Sequence, residues 1–119
     1  MRLKLGEKLI ISQGKTGWGN TLAVTNQRLL ILDKDAIIGE TPIDTISGAF
    51  AETQILTNIT QLKIKLKDGR EISVIFRHSQ NGLLYDSPNQ KDTDIINLTK
   101  KYADAINRAI GGQIPPKEV

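Results

Sequence analysis

The residues best equipped for chemistry in this chain are few and far apart. Ser12-Gln-Gly-Lys-Thr16 ends like a phosphate-binding loop, in which backbone N–H groups and a lysine cradle phosphate oxygens. Two departures defeat that reading. Leu9 stands where the first glycine belongs, and Trp18 onward leads into a strand where the motif requires a helix. His78 is the only histidine, so neither a Ser/His/Asp triad nor a multi-histidine metal site has its partners. Asp33 and Asp35 flank one turn, and two carboxylates without further ligands rarely hold a hard cation. Cysteine is absent, which removes disulfides, thiolate zinc sites and thiol nucleophiles together. The expectation is a protein that is not an enzyme, with no catalytic, cofactor-binding or metal-binding residues.

What remains is suited to binding. Lys15 and Trp18 share the glycine-rich stretch Gly14-Lys-Thr-Gly-Trp-Gly-Asn20, read as an irregular loop. Trp18 serves there either as an anchor for a partner groove or bilayer interface, or as a cap folded back on the core. Lys63, Lys65 and Lys67, beside Arg70, form a row of positive charge for acidic lipid heads or an acidic protein; a solvated strand face that protects an edge explains the row as well. Arg28 is expected to brace a corner through a carboxylate that the sequence does not identify. Tyr85 lies in a long polar connection, residues 77–91, and connections of that length are often functional. These seven residues, Lys15, Trp18, Arg28, Lys63, Lys65, Lys67 and Tyr85, make up the candidate binding surface.

Composition narrows the partners. The net charge of +3 is spread from Arg2 to Lys117 and aromatic residues make up only 4%, so a nucleic-acid surface is not expected. No apolar run approaches a membrane span, and Met1-Arg-Leu-Lys-Leu-Gly-Glu lacks the apolar core of a signal peptide, so a cytoplasmic protein is expected. Asn58-Ile-Thr60 and Asn97-Leu-Thr99 are then chance matches to glycosylation sites.

The elements that position these residues are mostly strands. A chain of 119 residues is one domain, here 1–112, with 113–119 as a flexible tail. Leu9-Ile-Ile11 opens the first strand. Leu22–Leu32 is two apolar runs around Thr25-Asn-Gln-Arg28, a hairpin turning at Asn26-Gln27. Ala36–Thr41 follows as a strand closed by Pro42, residues 42–48 form a corner, and Ala49–Leu56 is a further strand. In Gln61–Phe76 strict alternation sends Leu62, Ile64 and Leu66 to one face and the lysines to the other, with Asp68-Gly69 as the turn. From Asp92 the period becomes helical: Ile95, Leu98, Tyr102, Ile106, Ala109 and Ile110 make one stripe, capped by Asp92, Thr93 and Asp94 and stopped by Gly111-Gly112. The sum is a mainly β fold, a seven-stranded antiparallel bent sandwich or barrel whose open end is plugged by one amphipathic helix.

That order, together with Gly19-Asn-Thr-Leu-Ala-Val-Thr-Asn-Gln-Arg-Leu-Leu-Ile-Leu32 and Thr41-Pro-Ile-Asp-Thr-Ile-Ser-Gly48, resembles the bacterial pleckstrin-homology-like and GRAM-type domains over about Leu5 to Ile110. The resemblance implies a seven-stranded sandwich closed by a helix and a role in binding or assembly. Many eukaryotic members hold phosphoinositides on a Lys and a later Lys/Arg-x-Arg. This chain offers Lys15 and Arg28 there without the closing pair. The expected partner is therefore another protein or a second copy meeting at strand edges, with peripheral binding to an anionic membrane through Lys15, Trp18 and the lysine face as the alternative.

Overall fold

A computed structural model describes residues 2–17, 19–57, 59–76 and 88–111, with side chains 88–93 excepted. Trp18, His78 and Tyr85, the connection 77–87 and the tail 113–119 lie outside the described residues. Seven strands come first: β1 (Leu9–Lys15), β2 (Thr21–Thr25), β3 (Arg28–Asp33), β4 (Ala36–Pro42), β5 (Ile46–Thr53), β6 (Thr60–Leu66) and β7 (Glu71–Val74). A single 3-10 turn at Ile43–Thr45 separates β4 from β5, and helix α1 (Pro88–Gly111) follows.

The strands form two antiparallel meanders, β1-β2-β3-β4 and β5-β6-β7. Both hairpins expected from the sequence are present. Thr21 to Val24 pair with Leu32 to Leu29, and Leu62 to Lys65 pair with Val74 to Glu71. The Asp68-Gly69 turn works as its composition dictates: Gly69 takes φ +95°, and the Asp68 carboxylate accepts the Arg70 N–H at 3.0 Å. Among the described residues the sandwich does not close into a barrel. Among the described residues the sheets join at one corner, where Thr16 bridges Phe76 and the Gly17 N–H donates to the Ile75 carbonyl at 2.8 Å.

Alternation along the strands builds the core. Leu22, Val24 and Leu29 face Ile46, Leu62, Ile64 and Leu66 across the sandwich, and Tyr102, Ile106 and Ala109 enter from α1. The opposite face of the first sheet buries a second, smaller cluster, Ala23, Leu30 and Leu32 with Ile37 against them. This explains why Leu29-Leu-Ile-Leu32 is apolar without a break: both faces of β3 are covered.

Tyr102 ties the helix to the first sheet. Its hydroxyl donates to the Leu22 carbonyl at 2.5 Å and accepts the Gly14 N–H at 2.7 Å, and burial pushes the phenol up to about 12. Its ring lies 4.6 Å from that of Phe76, centroid to centroid.

Three boundaries differ from expectation. Gly14 and Lys15 belong to β1 and not to an irregular loop, because β1 carries two register shifts and Gly14 is the bare spot on which the Phe76 and Tyr102 rings rest. The strand expected at Ala49–Leu56 runs three residues earlier, since its ladder with β6 extends from Ile46–Leu66 to Thr53–Thr60 and stops. The helix starts at Pro88, a residue suited to a first helical turn, which places Asp92, Thr93 and Asp94 inside the helix and not at its cap.

Candidate functional site

A sheet that does not close leaves strand edges whose backbone groups need partners, and the edges here are not treated alike. The outer edge of β5 is covered by α1. The Asn107 side-chain amide imitates a strand, donating to the Ala49 carbonyl at 2.8 Å and accepting the Ala49 N–H at 3.0 Å. The end of β1 is met by residues 75 and 76 at the corner already described. The outer edges of β4 and β7 have no strand beside them among the described residues, and of the two it is β7 that borders the apolar cleft.

That edge borders a gap between the sheets with two unlike halves. One half is an apolar cleft of about 570 Å³, walled by Leu22 and Ile31 on the first sheet and by Ile72, Val74 and Ile75 on the second, with Thr16, Asn20 and Ser73 at its mouth. Period-two alternation makes the wall: Ile72 and Val74 are half-buried, while Glu71 and Ser73 face outward. Beyond Ile72 the gap continues as a charged half, about 650 Å³, lined by Glu40 and Asp44 on one side and Asp68, Arg70 and Glu71 on the other.

The wall carrying Glu40 is held by a buried ion cluster. Arg28 is only 5% exposed, so it is a brace inside the fold and not part of a binding surface. Its Nε donates to Glu7 Oε2 at 2.8 Å, its Nη2 to Glu7 Oε1 at 3.1 Å, and its Nη1 to Glu40 at 3.1 Å. The two-point contact with Glu7 is the strong form of the Arg–carboxylate pair. The Thr25 hydroxyl donates to Glu7 Oε2 at 2.6 Å, and the Lys4 N–H to Glu7 Oε1 at 2.7 Å. Burial alone would raise the Glu7 pKa, but the hydrogen bonds from Arg28, Lys4 and Thr25 and the Arg28 charge outweigh it and lower it from 4.5 to about 2. Hydrogen bonding to Glu7 raises that of Arg28 despite its own burial. Asn26 and Gln27, at the hairpin corner, fasten the same N-terminal segment: Asn26 accepts the Lys8 N–H at 2.7 Å, and Gln27 donates to the Leu5 carbonyl at 3.2 Å.

Among the described residues, the remaining expected site residues, Lys15 and the lysine row, are dispersed. Lys15 ends β1 opposite Thr21, so it is held in a ladder. The lysine row is not uniform. Lys63 has a side chain only 17% exposed, lies 3.9 Å from Glu52 and 3.6 Å from Glu71, and donates to Ser73 Oγ at 3.1 Å. Lys65 is exposed and sits 5.7 Å from the centre of the Phe50 ring, a cation–π contact. Lys67 is exposed, and its backbone N–H donates to the Thr45 carbonyl at 2.9 Å. These residues do not converge on a single pocket. Among the described residues, no group of three or more His, Asp or Glu is placed to hold a metal ion.

One exposed feature lay unread in the sequence. Ile55 and Leu56 are 94% and 98% exposed at the turn between β5 and β6. The turn is closed by the Gln54 N–H donating to the Ile59 carbonyl at 2.9 Å and by Thr57 Oγ1 donating to Gln54 Oε1 at 2.9 Å. Reading Ile55 and Leu56 as the end of a strand hid them. The signal that reveals them is eight residues without a charge, 53–60, at a place where a turn is normally polar.

Among the described residues, fold and site thus define a two-sheet antiparallel arrangement with one helix after the strands and an open strand edge above an apolar cleft. No known family model matches the chain, and no curated protein matches it.

Proposed function

We propose that this chain is a non-catalytic binding module of the pleckstrin-homology-like type that takes an extended protein segment, from another protein or from a second copy, along the free edge of β7. The observation that carries the reading is the coincidence of a strand edge that is unpaired among the described residues with an apolar cleft directly beside it. A strand added to an edge gains backbone hydrogen bonds, and alternate side chains reach into the neighbouring pocket, which supplies selectivity. Here every second side chain of such a segment would enter the space between Ile31 and Val74, and residues further along would meet the charges of Glu40, Asp68 and Arg70. The pleckstrin-homology-like assignment is supported by the residues of Gly19–Leu32 and by the order of four strands, three strands and a helix. Anionic membrane binding gains less from the lysine row than its length suggests, because Lys63 already has Glu52 and Glu71 beside it.

Selection from a random peptide library tests the proposal. The expected winners alternate apolar residues over one half and carry charge over the other. Ile75→Asp, at a half-open position on the cleft wall, is expected to weaken them about tenfold to a hundredfold, with the melting temperature little changed. A library that yields no binder, or binders indifferent to Ile75→Asp, would contradict it.

A further inference from the structure

We propose that the cleft beside β7 is filled by the Ile55–Leu56 turn of a second copy of this chain, an inference that rests on reading the cleft as a site for polypeptide. The molecule carries two unlike apolar features, one convex and one concave. The convex one is the β5–β6 turn, whose two aliphatic side chains are 94% and 98% exposed and whose backbone is closed by its own hydrogen bond. The concave one is the cleft of about 570 Å³, inside the range of about 300–1,000 Å³ usual for ligand pockets and roomy enough for two aliphatic side chains.

The two features are also alike in carrying no charge. Residues 53–60 carry no charge, and the cleft is bordered by Thr16, Asn20 and Ser73, so docking the turn there buries no unpaired ion. The two features do not meet within one chain: Ile55 and Leu56 stand exposed and are not among the residues lining the cleft. The turn leads directly into β6 at Thr60, β6 pairs with β7, and the cleft opens on the far side of β7. The contact therefore runs between copies and joins different patches, which produces a head-to-tail chain, a closed ring, or a pair exchanging turns. One turn seated in one cleft is a small contact, below the roughly 1,200 Å² of a stable interface, so the assembly is weak and grows with concentration.

The native chain has no cysteine, which makes engineered disulfides a clean test. Leu56→Cys and Ile75→Cys, prepared separately, mixed and oxidised, are expected to give a cross-linked pair. Leu56→Cys mixed with Lys8→Cys, at an exposed position away from the cleft, is the control and is expected to give none. Because Leu56 is 98% exposed, Leu56→Asp is expected to keep the wild-type melting temperature while weakening concentration-dependent mass growth in light scattering about tenfold to a hundredfold. Cross-linking no greater than in the control, or mass growth unaffected by Leu56→Asp, would overturn the proposal. If selected peptides still bind at the cleft, only the choice of occupant is wrong; if they do not, the cleft reading falls with it.

Discussion

Arg28→Ala is expected to destabilise the fold by about 3–5 kcal/mol, the usual cost of removing one member of a buried pair and leaving the other charge stranded. Glu7 is the stranded partner, 7% exposed and held by Arg28 at 2.8 and 3.1 Å. The pH dependence gives the effect a signature. In the native protein the Glu7 pKa falls from 4.5 in the unfolded chain to about 2, so its contribution is complete above about 4.5 and is lost as the pH falls toward 2. A shift of that size corresponds to about 3 kcal/mol as an upper figure. In Arg28→Ala the largest favourable contacts are gone and burial dominates, which raises the Glu7 pKa, so mild acidification neutralises the stranded carboxylate and narrows the gap to wild type. Urea unfolding of both proteins at pH 7 and pH 4 measures this. A difference below about 1 kcal/mol at pH 7, the range of exposed ion pairs, would show that the cluster is not a brace.

Gly14→Ala is expected to cost about 2–4 kcal/mol, from overpacking together with a weakened Gly14–Tyr102 hydrogen bond. A Cβ at Gly14 would lie 2.6 Å from Phe76 Cε1 and 2.8 Å from Tyr102 Cε1, closer than real carbon contacts allow. Neither ring can retreat easily, since Tyr102 is anchored through its hydroxyl and Phe76 is buried against it. The double variant Gly14→Ala/Phe76→Leu should lose less than the two single losses combined, because the smaller side chain makes room for the new methyl group. Thermal melts of the three variants read the coupling. Strict additivity would mean that the strand shifts away from the rings and that Gly14 is not a packing requirement.

What the sequence reveals about this fold depends on how local the governing contact is. The 61–76 hairpin is legible because alternation and Asp68-Gly69 act within a few residues, and the Ile95–Ile110 stripe is legible because a 3.6-residue period repeats for several turns. The partner of Arg28 is not, because Glu7 lies 21 positions away and nothing in its surroundings marks it among the other carboxylates. Gly14 reads as loop punctuation until two rings are seen resting on it. The cleft is further from view still: it depends on the angle at which two sheets meet, and no stretch of Ile72-Ser-Val-Ile75 records that angle. Ile55 and Leu56 stood in plain sight, but an apolar pair beside a strand is ordinarily counted as strand, and only the end of the Thr53–Thr60 ladder separates them from it.

The central claim, that the edge of β7 is a strand-accepting site, is tested most directly by amide hydrogen exchange with and without a selected peptide at saturation. Slowed exchange within Glu71–Val74, with α1 and the Glu7–Arg28 cluster unchanged, is the predicted result. Binding that leaves β7 exchange unaltered, or that protects another edge in its place, would contradict the account.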